Sequence, residues 1–382
     1  MKKNRSLDIV IFGLSITSAW GNGHATTYRA LAQGLAARGH RVRFFERDVA
    51  WYASNRDLPR QRYCEVSLYS DIKQLNEHFP DELDADLVIL GSYVPQGALL
   101  ADWILPRARG VTAFYDIDTP VTVARLARGE CDYLAREQIP RFDLYLSFAG
   151  GPVLGTLRNE YGALRPRPFY CSVDPSEYRP APATRERYDL GYLGTYSPDR
   201  QPTLERLLLE PARQWRAGRF CVAGAQYPQE ISWPANIERV DHLPPSSHRR
   251  FYNSQRLTLN VTRADMVDNG WSPSVRLFEA AACGVPILTD HWMGLEDFFV
   301  PGKEILVART TAAALEYVRD SESGYLLQIA ARARSKVLSR HTAAHRACEL
   351  ERYAGEVAGA DMEQIETRGA ELAATAHVGW GA

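Results

Sequence analysis

The stretch that decides the fold is Ser272-Pro273-Ser274-Val275-Arg276-Leu277-Phe278-Glu279-Ala280-Ala281-Ala282-Cys283-Gly284-Val285-Pro286-Ile287. Its serines and Pro273 read as a helix start, and Gly284 as the stop. The apolar run that follows, to Thr289, reads as a strand. With the apolar run at residues 257–261 before it, the stretch predicts a strand–helix–strand unit of a parallel sheet. It also carries a chemical signal. Glu279 lies in an otherwise apolar helix, where a carboxylate must be paired or hydrogen-bonded. Arg276, three residues earlier, offers a structural ion pair. The competing reading is that Glu279 accepts hydrogen bonds from vicinal hydroxyls of a ligand. The amides near Ser272 and Ser274 would then hold its diphosphate.

Working outward, the same alternation fills most of the chain. Strands are predicted at residues 9–14, 41–46, 87–90, 111–115 and 144–148, with a helix over 26–38 that Gly39 stops. Between Arg165 and Tyr188 the texture changes. Five prolines fall there (Pro166, Pro168, Pro175, Pro180 and Pro182), which marks a linker. Strands then resume at 190–193 and 220–223, with a helix predicted over 203–216. The expected class is α/β, with two Rossmann-like domains. Their bounds are 1–170, a linker over 171–188, and 189–345. Residues 312–357 are almost continuously helical in pattern. Residues 346–382 are expected to form a C-terminal helix and tail, partly crossing back onto the first domain or disordered.

Composition supports this division. A chain of 382 residues suggests two domains. Lys+Arg is 45 against Asp+Glu 46, and this near-neutral balance argues against general nucleic-acid binding. Only five of the basic residues are lysines, so most are guanidinium forks suited to phosphate. The six cysteines lie at least 40 residues apart, without zinc spacing, and fit a reducing cytoplasm. The apolar run after Ser6 is too short for a membrane span. Peripheral membrane contact is left open.

Three further motifs follow predicted strands. Gly21-Asn22-Gly23-His24 precedes the first helix, where glycines admit a ligand close to the backbone. It fails as a dinucleotide fingerprint because position 26 is Thr26. Glu46 ends the second strand, where a ribose-binding acid would sit. His24 is a candidate general base, or else a capping histidine. Asp116-Ile117-Asp118-Thr119-Pro120 contains a DxD pair that could hold a metal, although turn chemistry explains it too. An acceptor-side role is favoured, and no metal site is expected. Gly194-Thr195-Tyr196-Ser197-Pro198-Asp199-Arg200 resembles a phosphate loop ending in an arginine.

Together these residues resemble a GT-B glycosyltransferase, more narrowly the family related to spore-maturation protein CgeB. The likeness is strongest over about residues 173–308. The helix from Arg276 to Gly284 with Val285-Pro286-Ile287 resembles the donor-site segment of these enzymes. Gly294 and Glu296 resemble the glycine and glutamate that follow it. Val173-Asp174-Pro175, with Tyr178 and Pro180, resembles an interdomain signature. Gly23-His24, with Leu31-Ala32 and Arg38-Gly39-His40, resembles the opening of MurG-like transferases. One position departs. Many retaining members carry a glutamate eight residues before the ribose-binding one, and here that place is Trp271.

The resemblance implies transfer of a sugar from a nucleotide-diphosphate sugar, as substrate with no cofactor, to an unidentified acceptor, without a divalent metal. Glu279 would bind the ribose. Gly23, Thr195, Arg200, Ser272, Ser274, Arg276, Gly294 and Glu296 would complete the donor site. His24 would act on the sugar side, with Asp116 or Asp118 behind it. A same-fold epimerase and a non-catalytic binding protein are the alternatives.

Overall fold

The computed structural model describes residues 6–21, 23–181 and 186–359. Asn22, Pro182 and the tail beyond residue 359 lie outside the described residues.

Two parallel sheets organise the molecule. The first holds β1 (Asp8–Gly13), β2 (Arg41–Arg47), β3 (Glu65–Tyr69), β4 (Leu87–Gly91), β5 (Val111–Asp116), β6 (Leu144–Ser147) and β7 (Pro166–Pro168), in the order β3-β2-β1-β4-β5-β6-β7. The second holds β8 (Tyr188–Leu193), β9 (Phe220–Ala223), β10 (Ile237–Val240), β11 (Gln255–Asn260), β12 (Ile287–Thr289) and β13 (Leu306–Val307), ordered β10-β9-β8-β11-β12-β13. In each sheet the direction of winding reverses once, between β1 and β4 and between β8 and β11. Ligands of doubly wound sheets bind outside the carboxyl ends of strands at such reversals.

The apolar runs become central strands because both faces are covered. Ile9, Val10, Ile11 and Phe12 are all buried, alternating between two clusters on the two faces of the first sheet. One cluster continues through Phe169, Cys171, Val173 and Tyr178 onto the helix Val275–Ala282, so the two halves share apolar contact. Most of the second sheet's core is a separate cluster around Leu190, Leu207 and Leu259.

Two predicted helices differ in detail. The helix expected over 203–216 runs from Gln201 to Gln214 with a π-turn at Glu205–Leu209. Pro211 has no N–H to donate back, so the ladder widens just ahead of it. The helical pattern over 312–357 is three helices: Thr311–Asp320, Ser323–Arg340 and residues 343–359. Between the last two the chain crosses over. Thr342 bridges to Val173, and residues 343–359 pack on the first half. Glu351 pairs with Arg38 and His40, and Tyr353 donates to the Pro168 carbonyl at 3.1 Å. Gly34 permits this approach, since a Cβ there would lie 2.7 Å from the Ala343 carbonyl oxygen.

Candidate active site

A cleft of about 570 Å³ lies between the halves. Loops at the carboxyl ends of both sheets line it: His24 follows β1, Tyr93 follows β4 and Asp118 follows β5. From the other side come Thr195 and Arg200 after β8, Gln226 after β9, Arg263 after β11, and Ser274 and Arg276 at the head of the helix Val275–Ala282. The volume suits a small-molecule site, for which about 300–1,000 Å³ is usual. Trp20, next in sequence to the lining residue Gly21, packs on His242 of the other half, ring centroids 4.5 Å apart.

The second half supplies a cluster of cations. Arg200, Arg263 and Arg276 all line the cleft. Burial pushes the Arg200 guanidinium below its ordinary range, and the charges of Arg276 and Arg263 push the same way. The Nε atoms of Arg200 and Arg276 are buried and find no hydrogen-bond partner among the described residues. The remaining bonds of these two go to backbone carbonyls, Arg200 to Thr195 at 2.8 Å and Arg276 to Val261 at 3.1 Å. Among the described residues no carboxylate lies within 4.0 Å of either of these two, and guanidinium groups oriented by carbonyls alone fit a phosphate-bearing ligand. Arg263 has no motif around it, and sequence reasoning missed it.

Glu279 faces a second, adjoining chamber of about 350 Å³ that shares Val275 with the cleft. Residues 275 and 279 are one turn apart, so one helix face runs from cleft to chamber. The Glu279 carboxyl is 3% exposed. Tyr252 donates to it at 3.0 Å, and the Tyr178 hydroxyl stands nearby, hydrogen-bonded to His248 Nδ1 at 3.3 Å. Burial pushes it up to about 7, against the opposing pull of both tyrosines and Arg276. The direct ion pair with Arg276 does not form, because that guanidinium turns away to Val261 and the ring of Tyr192.

The first half supplies His24 and Asp118. Their Nε2 and Oδ2 atoms lie 3.8 Å apart, and Arg263 reaches the same Oδ2 at 3.9 Å across the cleft. Burial works against the charge of Asp118, yet His24, Arg263 and Tyr93 hold it below the usual carboxylate range. Tyr93 sits at φ 63° and Gln226 at φ 67°. Such left-handed backbone in side-chain-bearing residues gathers at functional sites.

Other expected residues stand elsewhere. Asp116 is fully buried behind the cleft, receiving hydrogen bonds from Tyr145 at 2.6 Å and Thr122 at 2.7 Å. Burial pushes it up to about 6. Glu46 is consumed by the β1 loop, accepting from the Ile16 and Thr17 amides at 2.7 and 3.0 Å. Ser272 is buried and donates to the Gly270 carbonyl, while Ser274 caps the helix through the Arg276 amide. Gly23 lies on the cleft wall; Gly294 and Glu296 are outside the lining. Glu296 is exposed, 3.9 Å from His291.

Trp271 has a structural place. At φ 44° its ring lies between Gly151 of the first half and Gly294 of the second, and a Cβ on either glycine would come within 2.5 Å of it. Its carbonyl accepts from the Gly150 amide at 3.0 Å, its amide donates to Met293 at 2.7 Å, and its indole donates to Asp297 at 2.6 Å.

Two doubly wound parallel sheets facing one cleft define the GT-B fold, and solved structures of that fold superpose on nearly the whole chain. Sucrose-phosphate synthase from Thermosynechococcus elongatus is 13% identical at a TM-score of 0.68, covering 93% of this chain and 100% of that one. Anabaena HepE, in complex with UDP and glucose, is 11% identical at 0.67, covering 92% and 100%. The catalytic domain of Arabidopsis thaliana starch synthase IV, bound to ADP and acarbose, is 12% identical at 0.65, covering 92% and 99%. Residues 200–352 match a family described as Glycosyl transferase-like. No curated protein matches the chain in sequence. Among the described residues, no helix is long and apolar enough to cross a membrane.

Proposed function

We propose that the chain is a glycosyltransferase that takes a nucleotide-diphosphate sugar and moves its sugar to an acceptor bound by the first half. The observation that carries this is the pairing of an arginine cluster, in which Arg263 meets Asp118 while Arg200 and Arg276 bond to backbone carbonyls, with Glu279 along one helix face. The arginines suit a diphosphate and the carboxylate suits a ribose diol. An ionised carboxylate offers about four acceptor sites. Tyr252 takes one, and enough remain for two vicinal hydroxyls. The nucleoside then occupies the chamber beside Glu279, and the sugar projects from the diphosphate toward His24.

Catalysis follows from charge and position. As the bond from sugar to diphosphate breaks, Arg200, Arg263 and Arg276 neutralise the leaving oxygens. Asp118 is held ionised, which makes it a poor base and a good partner for His24. His24 takes the proton of the attacking acceptor hydroxyl if the reaction inverts, and contacts the sugar if it retains. The reaction proceeds without a divalent metal, since the arginines carry the charge and the Asp116 oxygens are engaged by Tyr145 and Thr122. The domain bounds and the CgeB-related grouping of the sequence reading accompany this proposal.

The test is to incubate the chain with UDP-, ADP-, GDP- and dTDP-sugars, with and without chelator, and analyse the products. Release of nucleoside diphosphate with free or transferred sugar is expected in both conditions. An isomerised sugar nucleotide, or unchanged donor throughout, contradicts the reading, and loss of turnover in chelator contradicts its metal-free form.

A further inference from the structure

The acceptor end of the cleft holds a fourth cation that the donor chemistry does not use. Arg125 lies on the helix Thr119–Arg128 of the first half and lines the cleft. Its guanidinium carbon stands 5.4 Å from the Tyr93 ring centroid and 6.0 Å from that of Tyr133. The two rings pack on each other at 4.8 Å. Among the described residues no carboxylate lies within 4.0 Å of this guanidinium. Asp118, the acid on the same wall, is engaged with His24 and Arg263. Arg125 is therefore held by aromatic faces, which fix its position and leave its hydrogen-bonding edge unspent.

Tyr93 links this cation to the reacting end of the site. The His24 ring packs edge-on against the Tyr93 ring at 5.3 Å, so His24 and Arg125 flank one side chain. Tyr93 adopts a left-handed backbone, and its hydroxyl helps to hold Asp118 below the usual carboxylate range.

We infer that the acceptor is an anionic alcohol, with a carboxylate or phosphate that Arg125 grips while a nearby hydroxyl is presented to His24. The inference rests on the proposed donor site, which leaves Arg200, Arg263 and Arg276 occupied by diphosphate. A planar guanidinium fork suits either anion through paired hydrogen bonds.

The experiment is calorimetry on the full chain saturated with whichever of UDP, ADP and GDP binds most tightly. D-glucuronate and glucose 6-phosphate are titrated as anionic probes, with glucose as the neutral control. Anionic probes are expected to bind at least tenfold more tightly than glucose. Arg125→Met removes that preference, Arg125→Lys keeps part of it, and both retain nucleotide affinity and melting temperature. Glucose binding as tightly as the anions, no saturable binding by either anion, or an undiminished preference in Arg125→Met overturns the inference while leaving the donor site standing. Failure of all three nucleotides to bind removes the donor reading, and this inference with it. A donor-sugar role for Arg125 is the remaining overturning result: UDP-glucuronate would then bind more tightly than UDP-glucose, and only in chains that retain Arg125.

Discussion

Tyr252 donates its phenolic hydrogen to a Glu279 carboxyl oxygen at 3.0 Å, inside a wall that leaves Glu279 3% exposed. This contact explains how a carboxyl survives in an apolar helix without an ion pair. Burial still dominates and pushes the group from 4.5 up to about 7. A carboxyl raised in the folded state binds protons preferentially there. Its stabilising contribution is full below pH 4.5 and is lost as pH rises through about 7. Ribose hydroxyls need the opposite, ionised form. UDP-glucose, whose diphosphate does not titrate near neutrality, should therefore bind more tightly as pH rises from about 6 to 8. Glu279→Gln should flatten that dependence. A wild-type affinity constant across this range would remove Glu279 from the donor site.

His24 and Asp116 should fail differently. His24→Ala should leave nucleotide affinity intact and lower turnover by on the order of 10²–10⁴. Asp116→Ala strands the Tyr145 and Thr122 hydroxyls and should destabilise the fold by about 1–3 kcal/mol. Melting curves beside kinetic assays separate the two. Normal turnover in His24→Ala would move the base elsewhere.

Arg263 tests the diphosphate cradle. Arg263→Met should weaken UDP binding about ten- to a hundredfold, the loss of roughly 1.5–3 kcal/mol from a charged hydrogen bond. Uridine, which has no phosphate, should bind the variant as it binds wild type. Equal weakening of both ligands would point to a collapsed cleft.

Trp271 stands where the sequence resemblance to retaining transferases leads one to look for a glutamate, and its ring fills the space between Gly151 and Gly294. Trp271→Glu should lower stability by roughly 1–3 kcal/mol and loosen the two halves, without tightening donor binding. Calorimetric melting with and without UDP-glucose reads both effects. A stable Trp271→Glu chain with improved donor affinity would show that the site had room for the acid.

The buried runs and the proline-marked change of texture were legible because they follow from local patterning. Strands β3, β7, β10 and β13 were not, since each is short and is defined by its neighbour more than by its own apolar content. Glu279 could be singled out from its helix, but its partner Tyr252 could not, because the fold alone brings it there. Arg263 and Arg125 are single arginines among many, and only geometry separates them from solvated ones. Asp116 and Asp118 looked equivalent as a pair. Side chains that alternate along an extended segment would point the same way. In the structure the strand ends at Asp116, and the turn sends the two carboxylates to different places.

In the proposed donor site one nucleoside diphosphate spans Glu279 and the arginine cluster. Titration calorimetry of UDP, ADP, GDP, CDP and dTDP into wild type, Glu279→Ala and Arg276→Met tests it most directly. One-to-one binding of at least one of them to wild type is expected, weakened about ten- to a hundredfold by each substitution while both variants remain folded. Absence of binding across the panel, or binding that neither substitution alters, would contradict it.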